Sequence, residues 1–461
     1  MMKLDLDLHL LKTKNRNIIF FFLIFFLLNS CSFDGVTGIW DGGEEERRRL
    51  FELEKEQRRV LEIEKIYSSD NVFSKEIPLS RDIDISKPLN NHSWNTTNLN
   101  NQNFIGNLYL SGIDSLFLKK RFGKNKYPIS NISTPVLANE ENIIFSDDTG
   151  TIFNINTNGK LTWKKNVYKK IYKKIHKNLV LLINKNEIYV ADNIGFIYSV
   201  DLDTGKLLWI KNHAVPIRSN IKIFEDRIFL IDQDNKIISL SAKDGSKIWS
   251  ILTISSFIKS QNLLSMAISK KKDLVILNSA GDLYMVDSIN GDVYWTSNTL
   301  SSLQPDASDF FVSSNIVIDK NKIVFSAGFS TFCYDLEYGS IIWSSNVSSV
   351  ATPIINKKNI FLVTDNGYFV ILDKDTGKII SSNNILKILK KKKRNTKISG
   401  FIMGSGKLYS VTLNGYLIIS SAKSGKAENF KKIGGNITNV PIISEGKMYI
   451  LTEDSKIIGF N

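Results

Sequence analysis

The chain has 461 residues, 43% of them hydrophobic and 23% charged, with a formal net charge of +14 and two cysteines, Cys31 and Cys333. That length and apolar content can bury a large core, which excludes a disordered or collagen-like chain. Two cysteines this far apart exclude a disulfide-stapled scaffold.

The first thirty residues read as a secretory signal. "KTKNRN" is a basic leader, and Ile18–Leu28 is an apolar run of eleven residues, too short to span a membrane as a helix. "LLNSCS" follows, with Leu28 three residues before Cys31. This stretch resembles the lipobox of bacterial lipoproteins, which implies cleavage and lipidation at Cys31. By the same resemblance, Ser32 after the cysteine implies sorting to the outer membrane. Residues 31–103 are then expected as a lipid-anchored linker. Within it, "EEERRRLFELEKEQRRVLEIEKI" (about 44–66) has Glu44–Arg48, Glu45–Arg49 and Glu54–Arg58 at i,i+4, the spacing of a surface helix. Leu50, Leu53, Val60 and Leu61 make a ragged stripe that could dock on a partner or on the propeller, and a solvated spacer helix is the expectation. The Asn-rich stretch "NNHSWNTTNLNNQN" reads as linker by composition.

From residue 104 to 461 the chain repeats. "DDTGTIFNINTNGKLTW", "DNIGFIYSVDLDTGKLLW", "DNKIISLSAKDGSKIW", "AGDLYMVDSINGDVYW" and "GFSTFCYDLEYGSIIW" each place a glycine four residues before a tryptophan. Two further copies, around Gly377 and Gly425, lack the tryptophan. In "FIYSVDL", Phe196, Tyr198, Val200 and Leu202 alternate with smaller or polar residues, the period of a half-buried strand. Asp203, Thr204 and Gly205 supply a turn. A lone four-stranded unit cannot bury both faces, whereas radial stacking can, with the tryptophans packing between units. The final copy has only three strands before Asn461. Pairing it with Ser115–Gly123 closes the ring at eight blades, with seven as the alternative. The predicted fold is an all-β, eight-bladed β-propeller of four-stranded antiparallel blades, preceded by a helical linker.

Two basic runs, Lys164–Lys177 and Lys387–Lys397, fall between repeat units and are expected on rim loops. A Lys-, Asn- and Ile-rich composition with solvated loops is the plainest reading, and the runs could also lie on an anionic membrane or contact an acidic protein. No nucleic acid and no small-molecule substrate is expected as partner. His92, His176 and His213 have no metal-ligand spacing to another histidine, cysteine or carboxylate, and there is no phosphate loop or nucleophile elbow. Cys333, in "STFCYDL", is expected as a small buried residue. No catalytic, metal or cofactor site is predicted.

The repeats "GFIYSVDLDTGKLLW" and "GYFVILDKDTGKII" resemble those of pyrroloquinoline-quinone-type propellers. Two branches of that superfamily compete. Quinone-dependent dehydrogenases carry a vicinal cysteine pair and calcium ligands, and this chain has no adjacent cysteines. The lipobox followed by a propeller is similar to BamB-type lipoproteins of the outer-membrane β-barrel assembly machinery. That resemblance implies a cofactor-free, non-enzymatic scaffold that binds the periplasmic domains of a barrel-inserting subunit. The family's Leu-x-Leu-Arg docking loop matches "AVPIRSN", which implies Val215, Ile217 and Arg218 as partner-binding residues. Ile217 could equally begin the inner strand of its blade. The acidic pair expected in the next blade is missing from "SQNLLSM", although Asp306 and Asp309 lie further on. The expected function is an envelope scaffold. The alternatives are a quinone-dependent oxidoreductase and a ligand-binding envelope propeller.

Overall fold

The second repeat illustrates how each unit folds in the computed structural model. Leu179–Asn184, Glu187–Asp192, Phe196–Asp201 and Leu207–Asn212 form an antiparallel sheet in chain order, here called strands a to d. Strand a (LVLLIN) is buried on both faces and lies innermost. Strand d (LLWIKN) is half-buried or exposed except at Ile210 and forms the outer edge. At the c–d turn, Thr204 donates to the Asp201 carboxylate from its backbone N–H at 2.8 Å and its hydroxyl at 2.6 Å. Those bonds hold the Asp201 carboxyl below the usual range.

Gly205 is required for two reasons. Its φ is +68°, and a Cβ there would lie 2.7 Å from the Trp163 ring of the preceding blade. Trp163 Nε1 donates to Leu202 O at 2.9 Å, so ring and hydrogen bond together tie one blade to the next. The same link recurs from Trp209 to Ala242 O, Trp249 to Ser288 O, Trp295 to Leu336 O and Trp343 to Lys374 O, at 3.0–3.3 Å. The repeated tryptophan is an inter-blade packing residue.

The structure describes residues 32–34, 39–41, 43–63, 72–124, 136–254, 263–299, 312–349 and 351–461. Among these, eight four-stranded sheets form the ring. In the eighth, Leu116–Arg121 pairs antiparallel with Lys456–Phe460, so the N-terminal strand supplies the fourth strand of the last blade. Eight blades therefore replaces the seven-blade alternative. The closing strand also supplies the inter-blade contact: a Cβ on Gly159 of blade 1 would lie 2.5 Å from Leu118 Cδ1. Leu118, 5% exposed, stands where blades 1 to 5 place tryptophan.

Strand direction gives the ring two faces. One carries the a–b and c–d turns. The other carries the b–c turns and the d–a connections between blades. From Phe73 and Glu76, beside blade 6 on the second face, the chain runs to the first, which residues 84–111 use extensively. Ile77 bridges Ser382 along the outer edge of blade 6, and Asn91 lies against blade 8. No helix among the described residues is long and apolar enough to cross a membrane. The signal segment and Cys31 lie outside the described residues.

Candidate functional site

The Asn-rich stretch read as linker lines the central channel. An innermost strand has one edge without a neighbour, and its N–H and C=O groups need partners. Asparagine offers both a donor and an acceptor, and this segment supplies them blade by blade. Asn91 Nδ2 donates to Ile443 O of blade 8 at 2.8 Å, and Trp94 exchanges backbone bonds with Ala138 of blade 1. Asn95 O accepts from Ile183 N of blade 2. Asn101 Nδ2 donates to Ile223 O of blade 3, and Asn101 O accepts from Ile268 N of blade 4. Gln102 O accepts from Ile318 N of blade 5, Asn98 Oδ1 from Thr352 Oγ1 beside blade 6, and Leu108 N donates to Met403 O of blade 7.

Two buried residues anchor this lining. Asn103, with no exposed surface, donates to Met266 O at 3.0 Å and Ile316 O at 2.7 Å. Lys222 is also fully buried, and its Nζ donates to Asn100 O at 2.7 Å and Asn103 Oδ1 at 2.6 Å. Burial pulls the Lys222 ammonium down to about 7. The sequence "IKIF" places Lys222 at an alternating position that reads as solvent-facing, and nothing in it signals a channel.

The loop carrying Val215, Ile217 and Arg218 connects blade 2 to blade 3 on the opposite face. It is pinned at several points. Ile217 N donates to Asp192 O at 3.0 Å, Arg218 N to Ile231 O at 2.9 Å, and Gln233 N to Pro216 O at 2.8 Å. Val215 and Arg218 are half-buried at the surface, with Arg218 Nη2 donating to Gln233 Oε1 at 3.3 Å. Ile217 is 2% exposed and packs among Val180, Leu182 and Ile228 inside the ring. The loop thus presents two of its three predicted contact residues, and the third supports it from below. Asp306 and Asp309 lie outside the described residues.

Beside this loop docks the helix Gly43–Ile63. Arg49 bonds Glu46 through Nε at 2.8 Å, not the predicted Glu45, and donates to Ile194 O and, at 3.0 Å, to Ala214 O. Tyr172 Oη donates to Glu46 at 3.1 Å. Leu50 and Leu53 are buried in the cluster that includes Tyr172, Ile194 and Phe196, while Phe51 is 64% exposed. The spacer expected to be solvated is seated on the ring, because its two leucines pack with Tyr172 of the loop after blade 1 and with Ile194 and Phe196 of blade 2, and Arg49 bonds Ile194 O and Ala214 O. Below, Asp192 accepts from Tyr168 Oη and from Ile194, Gly195 and Phe196 N–H at 2.7–2.9 Å. Burial nevertheless pushes its carboxyl up.

Folding also brings together groups that sequence spacing kept apart. His92, Glu140 and Glu445 place one ligand atom each within 4.8 Å of one another, all exposed, and could hold a metal ion. His213 Nε2 lies 3.0 Å from Asp232 Oδ2. Cys333 is buried, and its thiol is pushed up to about 12 by desolvation.

A protein-family model described as outer membrane protein assembly factor BamB matches residues 124–221 and 148–383. The outer membrane protein assembly factor BamB of Moranella endobia is 21% identical over 311 residues, 61% of this chain and 72% of that protein. Among solved structures, BamB from Moraxella catarrhalis superposes with a TM-score of 0.63 at 12% identity, covering 75% of this chain and all of that one. Quinohemoprotein alcohol dehydrogenase from Comamonas testosteroni gives 0.61 at 11% identity, covering 80% of each chain. At these identities the two superpositions establish the propeller fold.

Proposed function

This chain belongs to the BamB family of outer-membrane protein assembly factors, and from that membership we propose that it is a non-enzymatic, lipid-anchored scaffold on the periplasmic face of the outer membrane. It binds the periplasmic domains of a barrel-inserting subunit and promotes folding or insertion of outer-membrane proteins. Residues 1–30 are its signal peptide, Cys31 carries the lipid, and residues 104–461 form the binding ring.

One observation carries the scaffold reading over the quinone-dependent oxidoreductase. Residues 91–108 bond to the inner edges of the ring, so the channel wall is spent on the chain's own backbone and asparagines. The rim loops remain as the surfaces open to a partner. On that rim the half-buried Arg218 guanidinium offers a planar fork of donors to a carboxylate or to backbone carbonyls. Val215 supplies the adjoining apolar contact, while Ile217 and Pro216 hold the loop in shape. A pinned loop binds without an ordering cost, which favours docking of a preformed domain.

Detergent-solubilised membranes with the tagged wild-type protein should yield a barrel-inserting subunit on affinity purification. The Val215→Ala/Arg218→Ala variant should lose about 2 kcal/mol of that interaction, roughly thirty-fold in affinity, with unchanged thermal stability. Undiminished recovery by the variant would move the interface to another loop. A quinone absorption band in the purified protein would favour the oxidoreductase.

A further inference from the structure

We propose that the blade 6–7 side of the face carrying the d–a connections contacts an anionic phospholipid surface, with Lys390–Lys393 as its main contact, while the blade 2–3 side of that face keeps Val215 and Arg218 open to the partner. The geometry of the basic run after blade 6 points there. Residues 385–397 join strand d of blade 6 to strand a of blade 7 and are built as two 3-10 turns, Ile385–Ile388 and Lys391–Lys393. Ile385, Leu386 and Leu389 are buried beneath them. Arg394 locks the fold-back, donating from Nε to Leu389 O at 2.8 Å and from Nη2 to Lys387 O at 2.6 Å. Lys390, Lys391, Lys392 and Lys393 are thereby held outward and exposed on a fixed platform. Lys393 and Lys432 stand over the same Tyr416 ring, at 5.5 and 4.3 Å from its centre, which concentrates the charge further.

Ion-paired lysines occur on both faces. On the a–b and c–d turn face, lysines meet carboxylates: Lys185 with Asp226, Lys272 with Glu225, Lys322 with Asp375 and Lys357 with Asp84. Lys390–Lys393 make no ion pair among the described residues, although Lys387 and Lys397 on either side do, with Glu76 and Asp365. A structured run of four cations without carboxylate partners matches a surface of anionic headgroups.

Chain length supports the same face, a point that rests on the proposed lipid at Cys31. The helix docks on the d–a face through Arg49 and begins at Gly43, twelve residues after Cys31. Ser32–Asp34 pairs antiparallel with Ile39–Asp41, so this stretch folds back on itself and is far shorter than an extended tether, which leaves the d–a face the nearer one to the bilayer. Lys170, Lys173 and Lys174, exposed in the connection between blades 1 and 2, lie on this face as well.

The test is vesicle flotation of the full mature chain carrying Cys31→Ala, so that no acyl group contributes. Vesicles of phosphatidylethanolamine with phosphatidylglycerol are compared with vesicles of phosphatidylcholine alone. The chain should float with the anionic vesicles, release as salt rises, and stay unbound to the neutral ones. Each lysine at such a surface contributes about fivefold, so changing Lys390, Lys391, Lys392 and Lys393 together to Gln should lower binding by more than roughly tenfold. Changing Lys270, Lys271 and Lys272 to Gln, an exposed lysine run on the other face, should leave it intact. Equal flotation of the two variants, or equal binding to neutral vesicles, would overturn the proposal. So would a Lys390–Lys393 variant that floats normally but loses an acidic protein. The scaffold reading stands or falls separately, since the lysine variant should still recover the barrel-inserting subunit through Val215 and Arg218.

Discussion

Gly339→Ala isolates what holds neighbouring blades together. Gly339 has φ +65°, and an added Cβ would lie 2.5 Å from Trp295 Cε3, too close for the indole to stay. Gly406 also has positive φ (+75°), but an added Cβ there meets nothing within 4 Å. The backbone term alone should cost about 1–2 kcal/mol at either position. At Gly339 the displaced ring adds overpacking of about 1–3 kcal/mol. It also strains the 3.1 Å bond from Trp295 Nε1 to Leu336 O, worth about 1 kcal/mol. Gly339→Ala should therefore destabilise by about 2–6 kcal/mol and Gly406→Ala by about 1–2 kcal/mol, read from urea midpoints at constant slope. On a Trp295→Ala background the excess at Gly339 should vanish, because the obstacle is gone. Equal losses at the two glycines, or an excess that persists without Trp295, would refute the inter-blade role of the tryptophans.

Other outcomes follow from the ring and its lining. Deleting residues 115–123 should leave the Lys456–Phe460 edge open and cause aggregation, measured by light scattering, whereas Leu118→Ala should lower the urea midpoint without aggregation. Lys222 has its ammonium pulled down to about 7, against 10.5 in the unfolded chain. From pH 7 upward the unfolded state therefore binds the extra proton, and stability should rise between pH 7 and 9. Lys222→Met should flatten that rise in urea midpoints. Arg49→Ala should free the helix, read as faster amide exchange and proteolysis within residues 43–63, while the ring's thermal midpoint stays nearly unchanged. Intact-mass analysis of the membrane fraction should find acyl mass on a peptide beginning at Cys31, and Cys31→Ala should release the protein to the soluble fraction.

The ring was legible in the sequence because its determinants are short and repeat. A turn glycine, a tryptophan four residues on and a period-two strand recur, and the three-stranded last copy required a closing strand from Ser115–Gly123. The channel lining was not legible. "NNHSWNTTNLNNQN" has neither helical nor strand period, and its order comes from backbone edges contributed by six distant blades. Lys222 was hidden for the same reason, since strand alternation does not tell a channel from solvent. The helix pattern was readable, but its seat was not, because Tyr172 and Ile194 approach Leu50, Leu53 and Arg49 only after the ring has formed. Within "AVPIRSN" the sequence allowed two roles for Ile217, and in the structure its side chain is 2% exposed.

The assembly role is tested most directly by following newly made outer-membrane β-barrel proteins in cells depleted of this protein. Folded barrels are distinguished from unfolded ones by their altered migration before heating. The scaffold account predicts a smaller fraction reaching the folded form, restored by the wild-type chain and poorly by Val215→Ala/Arg218→Ala. An unchanged folded fraction in depleted cells, together with quinone-dependent dye reduction by the purified protein, would contradict it.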